Sequence, residues 1–260
     1  MMTAVGVLDK VMAILDAFED GATRLDPAAV ASRVGFSTPT TYRLMKAMSQ
    51  HRLLDLEERD YRLGSRLLEL GSRARTGVHV RTVALPHMRA LRDALGETVE
   101  LQIRTGHRRV PIEMAVGRRT VRTTGQIGVP LPIHMGASSR VLIAWLNEER
   151  AMELAAESAA EWPGRAWDAD TYRSRLRQVR DQGWEYSDGE RDPETSAVSA
   201  PVHDAEGYVV AALVVSSTMT RLADDTHRAE VIHELRRTAR AVSGELGYPT
   251  PHEQEQETLG

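Results

Sequence analysis

The chain has 260 residues, a formal net charge of −4, 42% apolar and 27% charged residues, and no cysteine. That length suits one or two domains with a real core, and the composition is that of an ordinary soluble globular protein. Without cysteine, disulfides, thiolate metal sites and thiol catalysis are excluded, and no apolar run nears the roughly 20 residues that span a bilayer. The N-terminal MMTAVGVLDKVM carries an early acid and lacks a signal-peptide layout, so a cytoplasmic protein with no membrane partner is expected.

Val7, Leu8, Val11, Ile14, Leu15 and Phe18 recur at the spacing of one helical face, and Gly21 closes that first helix. In DPAAVASRVG, Asp26 caps a second helix, Pro27 opens it and Gly35 ends it. Ser37 to Arg52, STPTTYRLMKAMSQHR, reads as a third helix with Leu44, Met45 and Met48 as its buried stripe. It carries Arg43, Lys46 and Arg52 and no acidic residue, although residues 76–260 are net acidic. Two short helices joined by a glycine-containing turn, the second one basic, form the helix-turn-helix pattern. LLDLEERDYRLG follows as two short strands around Glu57–Asp60, a wing with Arg59 at its tip.

A double-stranded DNA partner follows from this arrangement, because phosphate attraction depends on locally clustered positive charge. Ser37, Thr38, Thr40, Thr41, Tyr42 and Arg43 are the candidates for bases and nearby phosphates, with Lys46 and Arg59 on the backbone. A helical hairpin with a merely solvated basic face would share the same caps and periodicity.

Leu67, Leu68 and Leu70 continue in helical spacing, and Arg75, Thr76 and Gly77 suggest a hinge. A helix from His79 to Leu95 is expected to break near Pro86 and to stop at Gly96. The period then changes to two through Val99, Leu101 and Ile103, turns at Gly106-His107, resumes at Val110 and Ile112, and predicts a third strand at Val121–Thr123. SSRVLIAWLNEERAMELAA reads as one helix, and Asp170 opens another that ends at Gly183. After a loop, SDGERDPETS, come strands at Ala197–Val202 and Val209–Val215 and a last helix from about Asp225 to Leu246. The polar tail after Tyr248 is expected to be disordered. The predicted fold is α+β, an antiparallel sheet with helices against it, behind the winged helix-turn-helix. The divisions are 1–64 for DNA binding, 65–79 for a linker helix, 80–247 for the second domain and 248–260 for the tail.

Catalytic patterns are missing: HExxH, GxSxG, Walker A and GxGxxG do not occur, so no catalytic residue, metal or cofactor is expected. Glu190 beside Arg191 reads as a surface ion pair. Arg108, Arg109, Arg118, Arg119 and Arg122 read as a solvated or subunit-contact border in preference to a carboxylate site. Gly136-Ala137-Ser138 leads into a helix and reads as an ordinary N-cap ahead of an anion site.

Together, GVLDKVMAILDAFE, STPTTYRLMKAM, YRLGSRLLELG, ALRDALGETVELQI, LPIHMGASSRVLIAW, LRQVRDQGWEYSDGERD and SAPVHDAEGYVVAALVVSS resemble, in order and spacing, the IclR family of bacterial transcription regulators. GASSRVLIAW and GERDPETSAVSAPV look closest to actinobacterial members. The resemblance implies a winged helix-turn-helix, a linker helix and a GAF/PAS-like effector domain. It also implies a homodimer or dimer of dimers on a palindromic operator, a repressor more than an activator, and a small-molecule effector such as an organic acid, aromatic acid or amino acid. Carried over by position, the effector site would comprise Leu131, Ala137, Ser138, Ser187 and Ser216, with Thr120, Ala197 and Val214 nearby. Some acid-sensing members have aspartate at Ser187, cysteine at Ala197 and serine at Val214, so a less polar strand side is expected. Two other classes stay open: a GAF-like enzyme, and a ligand-binding protein without operator-specific DNA binding.

Overall fold

A computed structural model describes residues 6–18, 24–73, 75–123, 125–163 and 167–249. The chain separates into two compact units between Val78 and His79. Gly21 and the residues beyond Pro249, the expected tail, lie outside the described residues; the first helix ends before Gly21, at Asp16, with Ala17 as its C-cap.

The first unit contains α1 (Val7–Asp16), α2 (Pro27–Val34), α3 (Thr38–Gln50), β1 (Leu54–Glu57), β2 (Asp60–Leu63) and α4 (Ser65–Arg73). Asp26 caps α2 by accepting the Ala29 N–H at 2.7 Å. Gly35 ends α2 at φ +73°, a left-handed conformation that a side chain disfavours, and this sharp stop sets the turn into α3. Ile14, Val30, Met45, Met48, Leu54 and Tyr61 form a closed core beneath α3 and the hairpin. Leu25 bridges to Tyr61 and ties the segment before α2 to the wing. Gly64 passes so close to the Arg52 carbonyl that a Cβ there would sit 2.2 Å from its oxygen, which locks the exit of the wing against the end of α3.

The second unit contains α5 (Arg75–Leu95) from His79 onward, β3 (Thr98–Thr105), β4 (Arg108–Ala115), β5 (Leu131–Pro132), α6 (Ala137–Ile143), α7 (Glu148–Glu161) and α8 (Ala169–Gln182). It continues with β6 (Glu185–Asp188), β7 (Thr195–His203), β8 (Val209–Thr218), α9 (Met219–Leu222) and α10 (Asp225–Glu245). The strands form one antiparallel sheet in the order β5-β4-β3-β8-β7-β6. Val99, Leu101, Val198, Ala200, Leu213 and Val215 project from one face onto Val80, Ala84, Met88, Leu91 and Leu95 of α5 and Val231, Leu235 and Val242 of α10. The opposite face is covered by α6, backed by α7 and α8 through Ile133, Val141, Leu154, Tyr172, Leu176 and Val179. Both faces are therefore buried, and side chains alternating along β3, β7 and β8 enter two different interiors.

Several expectations change. Pro86 does not interrupt α5: its buried stripe at Val80, Ala84, Met88, Leu91 and Leu95 outweighs the donor that proline removes. The hinge expected at Arg75–Gly77 is helical. Val121–Thr123 is a loop, and the strand beside β4, at one edge of the sheet, is instead the two-residue β5. The long helix after Ser138 is two helices, because Asn147 caps α7 by accepting the Glu149 N–H at 2.9 Å. The cap of α8 is Asp168, which accepts from Thr171, and β6 takes in Ser187 and Asp188, where the loop was expected to begin.

Met45→Ala opens a cavity in the first unit and should lower its unfolding free energy by about 2–5 kcal/mol. A shifted denaturant midpoint is the expected readout, and an unchanged one would contradict the packing of α3.

Candidate functional site

Two groups of predicted site residues fall in the two units. On α3, Thr38, Tyr42, Arg43, Lys46 and Gln50 share the exposed face, while Met45 and Met48 face inward. Thr41 is the exception among the predicted DNA contacts. It is fully buried, and its hydroxyl donates to the Ser37 carbonyl at 3.2 Å, so it supports the helix start and faces no groove. Ser37 is exposed, but its hydroxyl donates to Thr40 Oγ1 at 2.9 Å, and Thr40 is half-buried. Arg52 lies past the end of α3, at φ +58°, and pairs with Glu69 at 3.1 Å, which removes it from the basic face.

What remains is a sorted set of cations. Arg24 and Arg62 are tied to Glu57, and Arg66 to Glu69. Among the described residues, Arg43 and Lys46 on α3 and Arg59 at the wing tip are exposed and make no ion pair. Charges left uncommitted on one helix face and a wing are those that can neutralise phosphates and displace counterions.

In the second unit, a cavity of about 40 Å³ lies between the sheet and α6. Ala137, Ser138, Ser187, Ala197, Val214 and Ser216 all line it. Thr120 does not: it sits in an exposed part of the loop after β4, and Thr123, three residues on, takes its place by donating to the Ser216 carbonyl at 3.0 Å. Leu131 is half-buried on β5 and also lies outside the lining.

The strongest groups in the cavity are ones the sequence reading passed over. Arg109 is 4% exposed, so it is no solvated border. Its Nε donates to the Pro132 carbonyl at 3.1 Å, and its Nη1 donates to Gln102 Oε1 at 2.7 Å and Ser138 Oγ at 3.0 Å. Nη2 comes nearest Gly136, where a Cβ would lie 3.2 Å away, and has no hydrogen-bond partner among the described residues. Burial pushes the Arg109 pKa down to about 10, with the charge of Arg191 adding to the effect and Glu100 opposing it, so the guanidinium stays charged at neutral pH. The side chains of Arg108, Arg118 and Arg119 are partly exposed and pair with Glu161, Asp93 and Glu97.

Arg140 on α6 is equally buried but differently treated. Its Nη1 and Nη2 grip Glu190 at 2.8 and 2.6 Å, and Glu185 lies 3.2 Å from its Nε. Burial works against its charge, and the two carboxylates more than offset that, so its pKa is raised. Glu190 also accepts the Gly136 N–H at 2.7 Å, which fixes the loop entering α6. Glu190 is half-buried and clamps Arg140 and the Gly136 backbone together. Breaking a buried pair of this kind typically costs about 3–5 kcal/mol. Of the two buried arginines among the described residues, Arg140 is thus neutralised by carboxylates and Arg109 makes no ion pair.

Residues 73–244 match the family model described as the C-terminal domain of the bacterial transcriptional regulator IclR, and residues 7–58 match the IclR helix-turn-helix domain. The chain belongs to the IclR family. It is 31% identical to the transcriptional regulator XynR of Escherichia coli over 95% of this chain and 100% of that protein. The repressor AllR of Escherichia coli is 27% identical over 92% and 90% of the two chains. The fold is similar to that of an IclR homologue from Microbacterium hydrocarbonoxydans solved with 4-hydroxybenzoate, at TM-score 0.80 and 23% identity, covering 93% of this chain and 99% of that one. As an IclR-family member with this N-terminal unit, the protein is a DNA-binding transcriptional regulator.

Replacing Arg43 by alanine should cost about 1–3 kcal/mol of operator binding and relax one base position, whereas Lys46→Ala should weaken all DNA alike and reduce the salt slope by about one. Gel retardation across a salt series distinguishes the two patterns. Unaltered affinity and site preference in Arg43→Ala would remove it from the reading face.

His134 and His203 are both held below the ordinary histidine pKa, chiefly by burial, with Arg109 adding to the effect at His134. The unfolded chain therefore takes up protons first as pH falls, so the stability they contribute is complete above about pH 6.5 and declines below it. Thermal melts of the protein between about pH 7 and pH 5 should show this decline, and His134→Gln should flatten part of it.

Proposed function

We propose that this protein is an effector-controlled repressor of a metabolic operon, in which a small molecule bearing a carboxylate occupies the α6 cavity and alters operator affinity. The observation that carries this reading is Arg109: a buried guanidinium, facing the cavity, with no ion pair among the described residues. A charge held out of water without a counter-ion costs several kcal/mol, and an incoming carboxylate would recover it through a charge-assisted hydrogen bond. The 4-hydroxybenzoate bound by the Microbacterium homologue supports an acid ligand, and the description of AllR as a repressor supports repression. In this reading residues 1–64 bind DNA, 65–79 link, and 80–247 bind the effector. The protein acts in the cytoplasm as a homodimer or dimer of dimers on a palindromic operator. Repetition of the reading helix at fixed spacing supplies selectivity that Arg43 alone does not. The cavity binds and does not catalyse, so the protein is not an enzyme.

An effector acts only through unequal affinity for the DNA-competent and incompetent states, so operator and effector must alter each other's binding by the same factor. Gel retardation of the protein's own upstream DNA should respond to small carboxylates with an affinity change of about 5- to 150-fold. Arg109→Gln should lose that response, with its melting curve confirming a folded chain. A full response in Arg109→Gln would place the effector elsewhere.

A further inference from the structure

The cavity holds a second buried charge of the opposite sign. Glu100, on the same face of β3 as Gln102, is 2% exposed and lines the cavity. Its Oε2 accepts from Gln102 Nε2 at 2.7 Å, and its Oε1 accepts from Ser216 Oγ at 3.1 Å. Both donors are neutral, and among the described residues Glu100 makes no ion pair, with Arg109 or with any other cation. The two charges are instead held apart by one amide. Gln102 takes the Arg109 guanidinium on its carbonyl oxygen and gives its N–H to Glu100, so the row reads guanidinium, amide, carboxylate along one wall. Ser138 steadies the cationic end by donating to Gln102 Oε1 at 2.8 Å while accepting from Arg109, and Ser216 steadies the anionic end.

Two opposite charges buried within one small site would gain most by collapsing onto each other, and here a fixed side chain prevents it. A site of that form presents a positive end and a negative end to whatever enters. A ligand carrying only a carboxylate satisfies Arg109 and leaves Glu100 with neutral donors alone. One carrying a carboxylate and an ammonium a few bonds apart satisfies both ends, with its negative and positive groups in the same order as the oxygen and nitrogen of the Gln102 amide. The cavity is small, about 40 Å³, against the 10–15 Å³ or so that one water requires, which restricts the ligand to a few heavy atoms unless the walls move.

We infer that the α6 cavity selects a small zwitterion of the α-amino acid type, with its carboxylate on Arg109 and its ammonium on Glu100, in preference to a simple carboxylic acid. This rests on the cavity being the effector site, and it narrows the ligand from any acid to an amino acid. Gln102 is then a positioning residue that sets the separation of the two charged ends.

The test is calorimetric titration of the full-length protein with matched pairs that exchange ammonium for hydroxyl at constant size: glycine against glycolate, alanine against lactate, serine against glycerate. The amino acid of at least one pair should bind more tightly by about tenfold or more, as expected when a charged hydrogen-bonding group loses its partner. Glu100→Gln, which keeps the shape of the side chain, should bring that ratio near one while hydroxy-acid binding persists. Arg109→Gln should abolish binding of both members. Hydroxy acids that bind as well as amino acids in the wild-type protein, or an unchanged ratio in Glu100→Gln, would overturn the zwitterion assignment and leave the acid-effector reading standing. Binding of neither class would overturn the zwitterion assignment, and binding that survives Arg109→Gln would overturn both.

Discussion

The second unit is organised around a buried guanidinium that has no carboxylate of its own. Arg140 and Arg109 are both 4% exposed and belong to the same layer between the sheet and α6. Arg140 is gripped by Glu190 and Glu185, so its charge is neutralised internally and holds structure together. Arg109 is satisfied by a carbonyl, an amide and a hydroxyl, all neutral, and burial weakens its hold on the proton. Since water is largely removed from both, the difference lies in what each can still gain. Arg140 gains nothing from a ligand anion, whereas Arg109 gains a full counter-charge. Unrelieved electrostatic cost of this kind is characteristic of binding sites and out of place in a purely structural layer.

The fold supplies that environment by covering a sheet on both faces. One face is an apolar interior shared with α5 and α10, and it provides the bulk of the burial. The other carries Glu100, Gln102, Ala197, Val214 and Ser216 under α6, where polar groups must find one another. The Arg140–Glu190 pair matters here because Glu190 also holds the Gly136 N–H, so the loop at the mouth of the cavity is pinned by the same ion pair that stabilises the helix behind it. In the first unit a comparable sorting of charge occurs. Arg24, Arg52, Arg62 and Arg66 are spent on local carboxylates, in exposed pairs that contribute little to stability, and Arg43, Lys46 and Arg59 are left for phosphate.

Much of this was legible in the chain. The caps at Asp26 and Gly35, the Met45 and Met48 stripe, and the alternation through Val99, Leu101 and Ile103 are local signals, and the elements they predict are present. Six of the eight carried-over effector positions line one cavity, because helix start and strand register travel with the family pattern. The failures have a common physical origin. Glu100 and Gln102 sit between apolar residues on β3 and look solvent-facing, as they would on a sheet with one wet face; only the covering by α6 turns them inward. Arg109 was grouped with neighbouring surface arginines because spacing cannot tell which member of a basic run points under a helix. Thr41 looked available for DNA for the same reason, since a hydroxyl on a helix can serve the backbone four residues back as readily as a base.

The account stands or falls on whether Arg109 meets a carboxylate inside the α6 cavity. The most direct measurement is the side-chain nitrogen spectrum of ¹⁵N-arginine-labelled protein during titration with a small carboxylate, with the Arg109 signals assigned by their loss in Arg109→Gln. The account predicts a saturable shift of the Arg109 signals, while those of Arg140, already held by Glu190, change little. Saturation with the Arg109 signals unmoved, or shifts confined to surface arginines, would contradict it.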